Sequence, residues 1–316
     1  MLNYKDSGVD IEAGEAFVNA IKEKAPNIGG FGGAYEIPSG YENPVLISGA
    51  DGVGTKINIA GIANDFSTIG IDLVAMCAND VITCGAKPLY FLDYISCKKL
   101  DERAEKIVDG ILEGCALAGC ELLGGETAEH GRFAKDYDLA GFCTGIVEEE
   151  KIIDGKDIKQ GDMIIGIGST GLHSNGYSLI NDMLWRHKIY YKETPELLEP
   201  TEIYSGLVEK IVKNIPIKGM AHITGGGIPG NLPRCFPEGL KPHIDWNSWT
   251  LPEIFKKVQL AGEIPEEEMK RVYNMGIGYC LVVPPDAVED TQYIIRAYDS
   301  CVHTTSAWLI GEVVVS

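Results

Sequence analysis

The hexapeptide D-G-V-G-T-K from Asp51 to Lys56 gathers a carboxylate, a hydroxyl and an ammonium around two glycines, Gly52 and Gly54. An acid can ligate a divalent cation, glycines open backbone N–H groups to phosphate oxygens, and Thr55 and Lys56 add a donor and a point charge. Those are the parts that hold a triphosphate such as ATP with its Mg²⁺. The spacing is not the G-x-x-x-x-G-K-[ST] of a Walker loop. A tight turn capped by Asp51 accounts for the same residues without a ligand.

Two further segments repeat the pattern of acids beside glycines. From Ile69 to Gly85 most positions are apolar, which predicts a helix buried nearly all round. Carboxylates are costly there unless paired or bound to metal. Asp72 and Asn79, seven residues apart, nearly share a helix face, with Asp80 one step to the side. They serve either a cation or a structural salt bridge or cap. From Leu122 an apolar run meets Gly124, Gly125, Glu126 and Thr127, and Asp93 interrupts the apolar F-L-D-Y as a supporting or a structural acid. Asp51, Asp80 and Glu126, each beside a glycine-rich or tightly turned segment, make a Mg²⁺ site the economical explanation.

The second half offers different chemistry. S-T-G-L-H-S-N-G-Y-S from Ser169 places His173, Ser174 and Asn175 between a buried strand and a helix. H-I-T-G-G-G from His222 places Thr224, Gly225, Gly226 and Gly227 ahead of another. Small donors and a histidine at such starts suit a phosphate monoester or sugar hydroxyls. The alternative for each histidine is a satisfied core residue.

The elements that must position these groups follow from pattern and punctuation. Strands are expected at 44–49, 89–96, 122–126 and 139–147, and helices at 69–84 and 101–118. The second helix has Asp101 as N-cap and Gly119 as stop. After a polar connection over 148–161, strands are expected at 163–168, 277–283 and 307–315, with helices at 175–187, 202–213, 228–235, 251–262, 265–273 and 287–299. The mixture lacks a regular βαβ beat, so the class is α+β in two domains, 1–157 and 158–316.

Composition narrows the function. The 316 residues carry 38 glycines, well above the usual share of about 7%, which directs attention to close backbone approaches. With 46 acidic and 27 basic side chains the net charge is −19, disfavouring nucleic acid and anionic membranes as partners. The nine cysteines are scattered without a C-x-x-C pair, as expected of reduced thiols in a cytoplasmic protein, and no apolar run is long enough for a membrane span.

Taken in order, these motifs closely resemble the phosphoribosylformylglycinamidine cyclo-ligases, or aminoimidazole ribonucleotide synthetases, of purine biosynthesis. The resemblance covers nearly the whole chain: Y-K-D-S-G-V-D-I from Tyr4, G-G-F-G-G from Gly29, D-G-V-G-T-K from Asp51, G-I-D-L-V-A-M from Gly70 and G-G-E-T-A-E from Gly124. It continues with H-S-N-G-Y-S-L from His173, H-I-T-G-G-G from His222 and N-M-G-I-G from Asn274. It implies a homodimer whose N-terminal halves share a β-barrel, with C-terminal domains of mixed sheet and helices outside. It also implies ring closure of formylglycinamidine ribonucleotide with ATP, giving aminoimidazole ribonucleotide, ADP and phosphate. In that scheme Asp51, Asp80 and Glu126 hold Mg²⁺, Lys56 and Thr55 contact phosphate, and Asp72 and Asn79 support the site. His173, Ser174, Asn175 and the loop 222–227 face the substrate or the transferred phosphate, with Lys56, His173 and His222 as catalytic candidates. The chain departs from the family between Ala25 and Gly29, where it is short and leaves Lys22 and Lys24 as the basic residues, and at Glu202 and Tyr279. Thiamine-monophosphate kinase and selenide water dikinase share the implied architecture; the second would want an N-terminal cysteine, and none precedes Cys77.

Overall fold

The computed structural model describes residues 11–25, 28, 32–131, 136–298 and 306–316. The segments that include Tyr4 and Gly29 to Phe31 lie outside the described residues.

The first half is one sheet backed by helices. Its strands are β1 (Pro44–Gly52), β2 (Lys87–Cys97), β3 (Glu121–Glu129) and β4 (Tyr137–Glu148), in the order β1-β4-β2-β3. Only β2 and β3 run parallel, joined by a helical crossover; the other two ladders are antiparallel. α1 (Ile11–Lys24) precedes the sheet, and α2 (Lys56–Ala63) and α3 (Ile69–Val81) separate β1 from β2, while α4 (Glu102–Ala118) is the crossover. α4 begins where its sequence requires: Asp101 accepts from the backbone of Arg103 at 3.1 Å, and Gly119 ends it at φ 71°. α3 and α4 meet backbone to backbone. A Cβ on Gly70 would lie 2.1 Å from the carbonyl oxygen of Ile107, so only glycine fits.

The second half is a fully antiparallel sheet of β5 (Met163–Gly168), β6 (Gly219–His222), β7 (Leu240–Ile244), β8 (Ile277–Val283) and β9 (Ala307–Val315), ordered β6-β8-β5-β9-β7. β8 is buried at every position, because both faces are covered. Tyr279, Leu281 and Val283 pack with Ile211 of α6 (Ser205–Asn214) and Ile295 of α10 (Val288–Ala297). Ile277, Cys280 and Val282 pack on the other side with Ile228 of α7 (Gly227–Asn231).

The halves are not independent. α5 (Tyr177–Trp185), α8 (Glu253–Gly262) and α9 (Glu266–Val272) contribute Ile180, Phe255 and Met269 to the same core as α2, α3 and the first sheet. Among the described residues, part of the other face of that first sheet is left open. Leu46, Tyr94 and Phe142 stand 52%, 38% and 46% exposed on three of its strands.

Several expectations shift. The turn expected to end at Lys56 is the end of β1 followed by a helix starting at Lys56, and α1, β6 and β7 were not anticipated. The α+β class stands, but it contains one parallel βαβ unit, β2-α4-β3. All eight described cysteines are free.

Candidate active site

Pairing registers place the acids. Across the first sheet, Asp51 of β1 lies opposite Gly141 of β4, which lies opposite Asp93 of β2, which lies opposite Gly125 of β3. Laterally paired residues share a face, so Asp51 and Asp93 project toward the helices. The glycines are dictated by this row. A Cβ on Gly125 would stand 2.2 Å from Asp93 Oδ1, and one on Gly141 would stand 2.4 Å from the Phe91 ring. Burial, reinforced by the charge of Glu126, pushes the Asp93 carboxyl up to about 7.

Asp80 joins Asp51 from the C-terminal end of α3, its Cβ 3.7 Å from the position a Cβ would take on Gly49 of β1. Burial raises Asp51 above the usual carboxylate range; the Gly52 N–H, donating to Asp51 Oδ1 at 2.7 Å, lowers it, and the Asp80 charge raises it again. An acid whose ionisation is opposed by a neighbouring carboxylate in this way suits a cation. Glu126, expected as the third ligand, is paired with Tyr94 and projects to the opposite face of the sheet. Among the described residues no group of three His, Cys, Asp or Glu side chains is placed to hold a metal ion. The three acids therefore do not meet within one chain.

Asp80 Oδ1 is also 2.9 Å from His222 Nδ1, an arrangement that fits donation by the ring N–H and fixes the tautomer. His222 is 4% exposed, its ring stacked on Tyr279 at 6.4 Å, and its Nε2 has no partner among the described residues. Both residues line a cleft of about 420 Å³, whose walls include Ser48, Gly49, Asp154 and Arg234. His173 does not join them. It is buried at φ 57°, neither ring nitrogen has a partner among the described residues, and burial first, then the His222 and Lys56 charges, hold it neutral well below the usual histidine range.

The remaining expected contacts act mainly on each other. Lys56, expected at phosphate, is fully buried, donating to Asp72 Oδ1 at 2.9 Å and to the Glu199 carbonyl at 2.6 Å. Asp72 Oδ1 also accepts from Ser174 Oγ at 3.0 Å, from the Thr201 N–H at 2.8 Å and from Thr201 Oγ1 at 2.6 Å. Asn79 clamps the same segment, donating to the Glu202 carbonyl at 2.8 Å and accepting from the Tyr204 N–H at 3.0 Å. Lys56, Asp72, Asn79 and Ser174 thus fasten the two halves together, which is why polar groups stand on a helix buried nearly all round. Glu202 is pushed up to about 7 by burial. Lys24 is committed to an ion pair with Asp109 of α4.

The glycine segments divide. A Cβ on Gly52 would lie 2.7 Å from the Leu139 carbonyl, and Gly54 takes φ 64°. Exposed Thr55 meets Ser178 across the halves at 3.3 Å, whereas Gly124 and Thr127 are ladder positions opposite Leu92 and Ile95. In the second half the Gly225 N–H donates to Asn175 Oδ1 at 2.8 Å, so the two glycine-rich loops are joined. Asn231 stitches the other side, donating to the carbonyls of Thr224, Gly225 and Gly227, with Thr224 Oγ1 returning a bond at 3.2 Å. Sequence reasoning missed Asn231, Thr201 and Arg234. The one signal for Arg234 is that it is the sole Lys or Arg between Lys218 and Lys241.

A two-domain frame with an acid wall in the cleft defines a class. The descriptions "AIR synthase related protein, N-terminal domain" and "AIR synthase related protein, C-terminal domain" match residues 34–147 and 159–316. A crystal structure of Escherichia coli HypE, a hydrogenase maturation protein, superposes with a TM-score of 0.70 over 96% of this chain and 91% of that one at 16% identity. HypE in complex with ATP gives 0.68 over 94% and 86% at 17%; at such identities the likeness shows a shared fold. The phosphoribosylformylglycinamidine cyclo-ligase of Prochlorococcus marinus (strain NATL1A) is 50% identical over all of this chain and 96% of its own length. The chain belongs to the phosphoribosylformylglycinamidine cyclo-ligase family.

Proposed function

We propose that this protein closes the imidazole ring of formylglycinamidine ribonucleotide with ATP, giving 5-aminoimidazole ribonucleotide, ADP and phosphate in purine biosynthesis, as a cytoplasmic homodimer. The observation that carries the reading is the Asp80–His222 pair lining one cleft, with the Asp51 carboxylate close enough to feel the Asp80 charge, in a chain of this family. An amide oxygen is a poor leaving group. The formyl oxygen therefore attacks the γ-phosphorus of ATP, forming an O–P bond as the bond to ADP breaks. The amidine nitrogen then adds to the activated carbon, and the C–O bond breaks as phosphate departs. Proton loss from the ring completes the aromatic product.

The chain's own residues orient and neutralise, and no covalent enzyme intermediate is needed. The mutual repulsion of Asp51 and Asp80 fits a divalent cation; they would hold Mg²⁺, which supplies charge neutralisation to the phosphates. His222 fixes the Asp80 carboxylate through Nδ1. Lys56, Asp72 and Asn79 hold the halves at the separation that forms the cleft. Glu126 faces away from this wall, on the side where Leu46, Tyr94 and Phe142 are exposed. Such an apolar sheet face favours a second copy, and the shared barrel is the arrangement that would cover it. Glu126 of that copy would then complete the cation site.

The test is to incubate purified protein with formylglycinamidine ribonucleotide and Mg-ATP and to measure both products. The reading expects ADP and aminoimidazole ribonucleotide in equal amounts, with turnover lost in Asp80→Asn. ADP without ring-closed product would exclude it.

A further inference from the structure

The charges lining the cleft are matched, with one exception. Asp80 has His222 at 2.9 Å, and Asp154 has Lys156, whose N–H donates to it at 3.2 Å and whose Nζ lies 3.4 Å away. Arg234 is exposed in the same cleft, and the contact it makes among the described residues is Nη1 to Asn231 Oδ1 at 3.5 Å, the outer limit of a hydrogen bond. A guanidinium carries five N–H donors in a fixed fork suited to phosphate oxygens. Most of these are unspent.

The mounting of Arg234 is stiff. It sits in the single 3₁₀ turn Leu232–Cys235, begun by Leu232 and Pro233, directly after Asn231. Asn231 is 4% exposed and bonds three carbonyls of the Thr224–Gly227 loop, so the cation is tied to the loop that carries His222. A cation whose backbone is held in this way, in the same cleft as Asp80, is preorganised for an anion on the small molecule that reacts there.

Two anionic ligands belong to the proposed reaction, and this inference rests on that reading. A triphosphate brings its own divalent cation and can be met by carboxylates such as Asp51 and Asp80. A monoester carries a charge of about −1.5 to −2 without a metal and needs a protein cation. We infer that Arg234 binds the 5′-phosphate of the ribonucleotide substrate, setting its distance from the reacting end beside Asp80 and His222. The site then selects the phosphorylated substrate over the free riboside.

The experiment compares wild type, Arg234→Ala, Arg234→Lys and Lys156→Ala in the full chain, with formylglycinamidine ribonucleotide and Mg-ATP varied separately. Arg234→Ala should raise the KM for ribonucleotide roughly 10- to 100-fold, as expected for a lost charge-assisted contact, with the KM for ATP within about twofold. Arg234→Lys should fall between, because it keeps the charge without the fork. Lys156→Ala should match wild type. Ribose 5-phosphate, used as a competitive inhibitor, should weaken by the same factor in Arg234→Ala, whereas ribose should be unaffected. A loss falling on ATP, an equal loss for ribose and ribose 5-phosphate, or an unchanged KM would each overturn the assignment. Absence of ring closure in wild type would instead strike the reading of function, and the inhibitors' binding, followed by calorimetry, would still decide the role of Arg234.

Discussion

Replacing Asp72 with Ala should destabilise the whole molecule while leaving the groups of the cleft wall chemically intact. Asp72 is fully buried and its Oδ1 serves Lys56, Ser174 and, twice, Thr201. Its loss strands the Lys56 ammonium, also fully buried, on the Glu199 carbonyl and the face of Tyr177 at 5.6 Å. Removing one partner of a buried ion pair costs about 3–5 kcal/mol, and an orphaned backbone N–H at Thr201 adds about 1 kcal/mol or more. Burial already lowers the Lys56 ammonium, so loss of its proton caps the penalty. A net fall of about 4–6 kcal/mol is a large part of the roughly 5–15 kcal/mol that holds a domain together. At about 2 °C per kcal/mol for a chain of this size, the midpoint should drop roughly 8–12 °C. The assay is urea and thermal unfolding at pH 7.5, read by far-ultraviolet circular dichroism and tryptophan emission. Lys56→Met added to Asp72→Val should recover the charge portion, most of the loss, and not the Thr201 portion. A loss below about 1 kcal/mol for Asp72→Ala would refute the clamp. So would a Lys56→Met variant of unchanged stability with greatly weakened ATP binding, which would return Lys56 to a phosphate.

Two other outcomes follow from the first sheet. The folded-state carboxyl of Asp93 is pushed up to about 7, above the ordinary carboxylate range of about 4, so its contribution is complete below about pH 4 and is lost as pH rises through 7. Asp93→Asn should remove that slope, worth on the order of a few kcal/mol, in denaturant midpoints measured from pH 4 to 8; an unchanged slope would mean that another group sets it. Phe142→Asp, on the exposed sheet face, should shift sedimentation from dimer to monomer and abolish turnover, with the monomer's circular dichroism retained. A persisting dimer would place the interface elsewhere.

Much of the fold was legible because its signals are local. Asp101 and Gly119 bracket α4, and the buried run of β5 and the partly buried β9 fall where apolar runs and turns put them. α2 escaped because Thr55 makes no side-chain cap and K-I-N-I-A-G-I-A shows little sidedness. β6 escaped because four residues are too few to show a period. The site was half legible. Acids beside glycines mark Asp51 and Asp80, whereas a Lys five residues after an acid reads alike whether it turns to a phosphate or to Asp72 and the 199–201 segment. That choice is made by tertiary packing. The face of Glu126 depends on a register shift between Phe91 and Leu92, where Leu123 is passed over, and one such residue reverses every side chain beyond it. Arg234 belongs to no motif and acquires meaning from the cleft around it.

Ring closure is expected at a cation site drawn from two copies, Asp51 and Asp80 of one and Glu126 of the other. Asp80→Asn and Glu126→Gln should each be inactive alone. Mixed in equal amounts, unfolded and refolded together, they should form mixed dimers in about half of all cases, each with one intact site, restoring about a quarter of wild-type aminoimidazole ribonucleotide formation. A mixture as inactive as its parents, with mixed dimers verified by mass spectrometry, would contradict the claim.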